Sequence, residues 1–444
     1  MIDLLLKNAS VLDESGSVDI AIQDGKIHAC GENLIADDAG QVINLESRLV
    51  VPGFVDPHVH LDIALMNSWQ EPGRPEPYLT HYGLNDSMEK RRRGFTKDGI
   101  VQRASAALEL ASSHGVTAMR AQCHIDPEVG LKHLEALLEV REKYANRVTL
   151  QIVGFPQQGL TRSPEAPDLY REAFRLGLDV MGGASNLDFD EEGRVDFRRH
   201  IDMGFELAQE FDVDLDVHVD LGIPDHVEME DLEVVYLAQK TIETGYQGRV
   251  TAGHVCSLDS ATPEVAAKAI QAIAEAKLHV VSQPDLYRLG RMDTSHVRRG
   301  LTRVKALLAA GVNVTFASNN VRDALRPFGN FNPLEEALIL AYGSHLDTVD
   351  ELRTLLRMCT YNGAQALGLD GYGLKVGCQA DLVVIDAATP SQAIVSQADA
   401  CYTFKRGRLM ASRRSFVDTY NGLALQEHIH GSAVGGAQGN DVLA

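Results

Sequence analysis

The 444-residue chain is 45% hydrophobic and 23% charged, the proportions of a soluble globular protein long enough for one large domain with an accessory piece. Its formal charge of −21 sets a negative field against nucleic acid and anionic membrane surfaces, so neither is expected as a partner. Six widely spaced cysteines without a CxxC pair argue against a disulfide framework or a structural zinc cluster and point to the cytoplasm.

The chain opens on MIDLLLKNASVLDESG, with the apolar run ahead of the lysine, the reverse of a secretory signal. No window reaches the ~18 uninterrupted apolar residues of a membrane span. Leu4–Leu6, Val18–Ile22 and Gln41–Leu45 read as short strands punctuated by Gly16, Asp24-Gly25 and Gly40. Matching strands return at Ala380–Asp386 and Ala400–Phe404. These two halves predict a small β-sandwich domain from residues 1–50 and 365–425, with a flexible Gly/Ala-rich tail over 426–444.

Residues 51–364 alternate strand and helix. Eight apolar runs predict buried parallel strands: Leu49–Asp56, Val116–Ala121, Val148–Gly154, Leu178–Gly182, Val213–His218, Arg249–His254, Leu278–Gln283 and Val312–Ser318. Helical spacing separates them, over Lys97–Ser113, Gly130–Ala145, Phe197–Phe211, Thr262–Ala276 and Val297–Ala310. Eight strands with helical crossovers predict an α/β fold, a (β/α)₈ TIM barrel. No phosphate-binding glycine motif follows the first strand.

Barrel enzymes place their chemistry at the C-terminal ends of the strands. Strand one ends in Asp56-Pro57-His58-Val59-His60, with the two histidines on one face of an extended backbone. Strand five ends in His218-Val219-Asp220, strand six in His254, strand eight in Ser318-Asn319-Asn320, and strand three runs into Pro156-Gln157. A lone histidine at such a place is ordinarily a satisfied core residue. Four of them, at the ends of three strands, point to a metal pocket. The other histidines, among them His81, His114, His124, His133, His200, His226, His279, His296 and His345, are expected on the surface.

VVPGFVDPHVHLD (50–62), LQIVGFPQQG (150–159), DVHVD (216–220), RVTAGHV (249–255), RRGLTRVKALLAAGVNV (298–314) and NNVRDALRPFGN (319–330) together resemble the amidohydrolase superfamily. The likeness spans nearly the whole chain and is closest to the cytosine deaminase and N-isopropylammelide aminohydrolase branch. It implies one divalent metal ion per chain, zinc or iron, held by His58, His60 and His218 and by the strand-eight position, here Asn319. It implies His254 beside the metal as activator of water, and Gln157, with Asn320, against the substrate's polar groups. Relatives of this kind often form homo-oligomers. Strand four, Asp179–Gly183, offers no lysine to bridge a second ion.

The chain departs from that pattern twice. Leu221 stands where the branch has a proton-shuttling glutamate, and Asn319 where it has a metal-binding aspartate. Leucine moves no proton, and an amide oxygen can face a cation but has no basicity at neutral pH. A softer change lies in strand two, Arg120-Ala121-Gln122-Cys123-His124, where relatives show Arg-Thr-His-Val-Asp. His254 serves as general base in this reading, and Asp220 orients it or takes the proton; a hydrogen bond at the barrel mouth accounts for Asp220 equally well. The expected function is metal-dependent hydrolysis of a C–N bond in a small, polar, cyclic nitrogen compound. The alternative is a barrel that has lost hydrolysis and binds a ligand. The loop Asn67–Asn85, with Trp69, reads as a pocket wall or as a plain connector.

Overall fold

The apolar run Leu4–Leu6, buried on both faces, lies in the first strand, β1 (Ile2–Val11). Four more strands follow: β2 (Val18–Gln23), β3 (Lys26–Gly31), β4 (Ala39–Asn44) and β5 (Leu49–Pro52). The computed structural model describes residues 1–12, 16–35, 39–67, 91–222, 227–284 and 300–415. The tail and nearly all of the loop holding Trp69 lie outside those residues. Met1–Arg413 form one compact unit. Among the described residues, no helix is long and apolar enough to cross a membrane.

The run expected as a first barrel strand, Leu49–Asp56, is two strands. β5 stays in the small sheet, and a new strand, β6 (Phe54–Val59), begins the barrel. Gly53 marks the break: a Cβ placed there would lie 2.3 Å from the Thr117 side chain, so only glycine lets the two strands pass so close to the barrel wall. From sequence the two strands read as one because the apolar run Leu49–Val55 is broken only by Pro52-Gly53.

The remaining barrel strands are β7 (Val116–His124), β8 (Thr149–Phe155), β9 (Val180–Ala184), β10 (Asp214–Val219), β11 (Val250–His254), β12 (His279–Ser282) and β13 (Asn313–Phe316). They pair in chain order, each neighbour parallel, as the eight-stranded sheet β6 to β13. The ring closes between strands eight and one by a parallel bridge of Val59 to Asn319. Its hydrogen bonds run from His60 N to Asn319 O, 2.8 Å, and from Asn319 N to His58 O, 3.0 Å.

Helices cover the outside: α1 (Lys97–Ser113), α2 (Lys132–Tyr144), α3 (Ala166–Leu176), α4 (Phe197–Phe211), α5 (Glu233–Thr244), α6 (Pro263–Glu275), α7 (Val304–Ala309) and α8 (Pro333–Ser344). Side-chain caps start several of them; Thr96 accepts from Gly99 N, Asp196 from Arg199 N and Thr262 from Val265 N. Beyond the barrel, β14 (Leu382–Ile385), β15 (Ala400–Lys405) and β16 (Arg408–Ser412) return to β5, completing a mixed sheet in the order β16-β15-β14-β5-β1-β2-β3, with β4 also on β1. The small sheet is thus built from both ends of the described chain, and β3 and β16 extend it beyond the strands read from sequence.

Candidate metal centre and active site

Period-two geometry sorts each barrel strand into an inward and an outward set. Arg120 reaches inward to Asp216 Oδ2 (3.2 Å) and Thr251 Oγ1 (3.2 Å), a polar layer beneath the site. One step up, on the same faces, stand His58, Gln122 and His218. All the expected ligand residues are buried: His58, His60, His218, His254 and Asn319 are each at most 5% exposed.

The imidazoles converge. His58 Nε2 and His218 Nε2 are 2.9 Å apart, and His60 Nε2 is 3.3 Å from His218 Nε2. The far nitrogens of His218 and His58 have neighbours behind them. His218 Nδ1 lies 3.1 Å from the Gly183 carbonyl, and His58 Nδ1 lies 3.5 Å from Asp216 Oδ1 and 3.2 Å from Gln122 Nε2. A hydrogen on Nδ1 directed at a carbonyl or carboxylate leaves the Nε2 lone pair facing the shared space, the tautomer a metal ligand needs. Burial, and then the neighbouring His58, His254 and His60, holds His218 well below the usual imidazole range. Burial pushes Asp216 up, but its contacts with His58 and Arg120 outweigh that and keep it ionised.

His254 joins from strand six, its ring 5.2 Å from that of His218 and 5.9 Å from that of His58. Its donor atom lies within 4.8 Å of theirs. The backbone turns left-handed at His254 (φ 74°) and at Val255 (φ 53°), a conformation costly for a β-branched residue. Asn319 is also left-handed (φ 56°), and its Oδ1 is buried with no hydrogen-bond partner. His58, His218 and His254 have donor atoms close enough to share one divalent cation, His60 Nε2 lies beside that of His218, and Asn319 carries a buried amide oxygen on the adjoining strand end.

The side chain of Asp220 is held by α5. Both its carboxylate oxygens accept from the first turn of α5, from Glu233 N and Val234 N at 3.0 Å each. Glu233 answers by accepting from Asp220 N at 2.6 Å. Burial, then the Glu233 charge, pushes Asp220 well above the usual carboxylate range. Its main-chain oxygen accepts from Cys256 N and Ser257 N, so it fixes the segment just after His254. These hydrogen bonds lie at the barrel mouth, where the sequence placed Asp220.

Gln157 is half-buried, two residues after the inward Phe155. Its loop is tethered by Asp188, whose carboxylate accepts from Leu160 N and Thr161 N and is held by His200 Nδ1 at 2.6 Å. Asn320 is buried and donates to Asp323 Oδ2 at 2.6 Å. Leu221 closes strand five without any titratable group.

The expectation that the remaining histidines are surface residues is corrected. His114, His124, His133, His200 and His279 are buried, and the last four each find a carboxylate, carbonyl or amide partner inside the protein. His345 is exposed as expected; His81, His226 and His296 lie outside the described residues. His124 packs its ring 5.9 Å from that of His60 and 5.3 Å from that of Phe155. Gln283 was missed altogether. Thr251 pairs in register with His279, so His279, Val281 and Gln283 share the inward face. Gln283 is 5% exposed, and both its amide atoms lack partners among the described residues. Counting by two from His279 finds it.

Known proteins with this arrangement give the comparison. A family model described as the amidohydrolase family matches residues 73–411. The chain is 31% identical over 415 residues to N-isopropylammelide isopropyl amidohydrolase of a Pseudomonas species, covering 92% of this chain and 97% of that one. It is 29% identical to a pterin deaminase of Rhizobium rhizogenes, over 88% and 87% of the two chains. Its fold superposes on 5-methylcytosine deaminase from Klebsiella pneumoniae with a TM-score of 0.85 at 28% identity, over 94% of this chain and all of that one.

Proposed function

Because the chain belongs to the amidohydrolase family, a hydrolase of carbon–nitrogen bonds other than peptide bonds, we propose that it opens or deaminates a small cyclic nitrogen compound with one divalent ion at the catalytic centre. The observation that carries this reading is the convergence of His58, His60 and His218 through their Nε2 atoms. These three hold the ion, zinc or iron, with the Asn319 amide oxygen as the fourth donor. Such an ion, when bound, acidifies water and draws charge from a carbonyl-type oxygen.

The chain's own residues do the rest. His254 takes the proton from the attacking water and returns it to the departing nitrogen. Gln157, Asn320 and Gln283 present amide donors and acceptors to the polar groups of the ring, and a site built on such pairs rejects compounds that lack them. Asp220 acts through its backbone and its grip on α5, as a positioning residue. With Leu221 in place of a carboxyl group, protonation of a ring nitrogen has no partner on strand five, so amide, imide or ureide opening is favoured over cytosine-type deamination.

The test is a screen of hydantoins, cyclic imides, triazines, pterins and pyrimidines, scored for ammonia, amine or ring-opened product. It is run on the native chain, the metal-stripped chain and the stripped chain given zinc or ferrous iron. Turnover that disappears on stripping, returns with the ion and is absent in His58→Ala supports the reading. Binding without turnover across the panel, unchanged by metal, sinks it in favour of a ligand-binding barrel.

A further inference from the structure

A second cluster of ligand-type side chains stands beside the catalytic histidines without a part in that chemistry. Asp62 follows the end of β6, His124 ends β7 and His133 lies in the first turn of α2; all three are completely buried. Both rings turn Nδ1 to one carboxylate oxygen, Asp62 Oδ2 lying 2.8 Å from His124 Nδ1 and 2.6 Å from His133 Nδ1. The donor atoms of the three residues lie within 4.8 Å of one another, the size of one coordination sphere.

We propose that Asp62, His124 and His133 hold a second divalent cation, separate from the ion of His58, His60 and His218, and of a kind that takes imidazole together with carboxylate, as zinc does. Hydrogen bonding alone leaves the cluster unbalanced. Asp62 Oδ1, His124 Nε2 and His133 Nε2 are all buried with no partner, where buried polar atoms are ordinarily matched. Among the described residues no lysine or arginine forms an ion pair with this carboxylate; Arg103 donates instead to the Asp62 main-chain oxygen, at 3.1 Å. A carboxylate with two imidazoles and one backbone N–H turned to it, in a dry interior, is a place where a divalent cation finds matching donors. The backbone N–H of His124 also donates to Asp62 Oδ2, 2.9 Å, and so sets the carboxylate's orientation before any ion arrives.

The ion is structural. It clamps the end of the first strand, the end of the second strand and α2. Asp62 lies two residues beyond His60, and the His124 ring packs against those of His60 and Phe155, so the clamp holds one wall of the catalytic pocket.

The metal content of purified native protein, His58→Ala, His133→Gln and the double variant, each dialysed against zinc and counted by mass spectrometry, tests this. Two ions per chain in the native protein, one in each single variant and none in the double variant support the proposal. One ion in the native protein, lost in His58→Ala and kept in His133→Gln, overturns it while leaving the catalytic reading intact. One ion kept in His58→Ala and lost in His133→Gln supports it and overturns the catalytic ion instead. Should His133→Gln fail to fold, stepwise Co²⁺ titration of stripped His58→Ala decides. Saturation at one equivalent, with a chelator-reversible rise in melting temperature, supports the second site, and no uptake overturns it.

Discussion

At the mouth of the barrel Asn319, left-handed and bridged through its backbone to the His58–His60 strand end, holds a buried amide oxygen with no partner. An aspartate in the same place adds a negative charge to three neutral donors. Asn319→Asp is therefore expected to slow loss of the catalytic ion to a chelator by about tenfold or more, scaling from the 10–100-fold effects of changes around metal ligands; metal release followed with a chromogenic chelator measures it. An unchanged rate means that residue 319 is not a ligand. His254 is the one imidazole of the four assigned to the proton rather than the ion. His254→Ala should lower kcat by roughly 10²–10⁴-fold while the metal count stays that of the native protein. The four histidines were legible in the sequence because strand ends and period two are local signals. The partners that decide Asp220, Asp62 and His124 were not, since they come from α5, α2 and a neighbouring strand, tens of residues away.

Elements were read well where one signal dominated. α1 and α4 match the predicted Lys97–Ser113 and Phe197–Phe211 because a cap and an apolar stripe mark both. α8 was not read, since Pro333–Ser344 is apolar on most faces and shows no stripe. The joint between β5 and β6 escaped because only tertiary crowding, Gly53 against Thr117, reveals it. Gly53→Ala should cost about 1–3 kcal/mol through overpacking at that joint, read as a lower urea midpoint at unchanged slope. A native midpoint would show that Thr117 yields freely. α8 carries a second test. Burial lifts the Glu336 carboxyl to about 8, despite Arg326 at 2.7 Å. The folded chain therefore keeps a proton that the unfolded chain releases near 4.5. This group's contribution is most favourable below the unfolded value and is lost as pH rises towards the folded one. Glu336→Gln, which cannot titrate, should show a flatter fall in melting temperature between about pH 5 and 8; an equally steep fall would assign the slope to other groups.

For the molecule as a whole, the joint between strands eight and one is the place where architecture and chemistry coincide. Its bridge is Val59 to Asn319, and its hydrogen bonds run through the backbones of His58, His60 and Asn319. Stripping the ion should lower the melting temperature by roughly 4–5 °C, if the site is filled about a thousandfold above its dissociation constant. Calorimetry with and without a chelator measures this, and no shift would separate the ion from the fold. The same joint decides how the chain behaves towards its own copies. A closed ring has no margin at which another strand can add, whereas a ring parted between β6 and β13 offers two rows of unpaired N–H and C=O groups. In this barrel the residues that guard against such strand-by-strand association are the ones proposed to bind the ion, so the metal-free protein is expected to be the form more prone to aggregate.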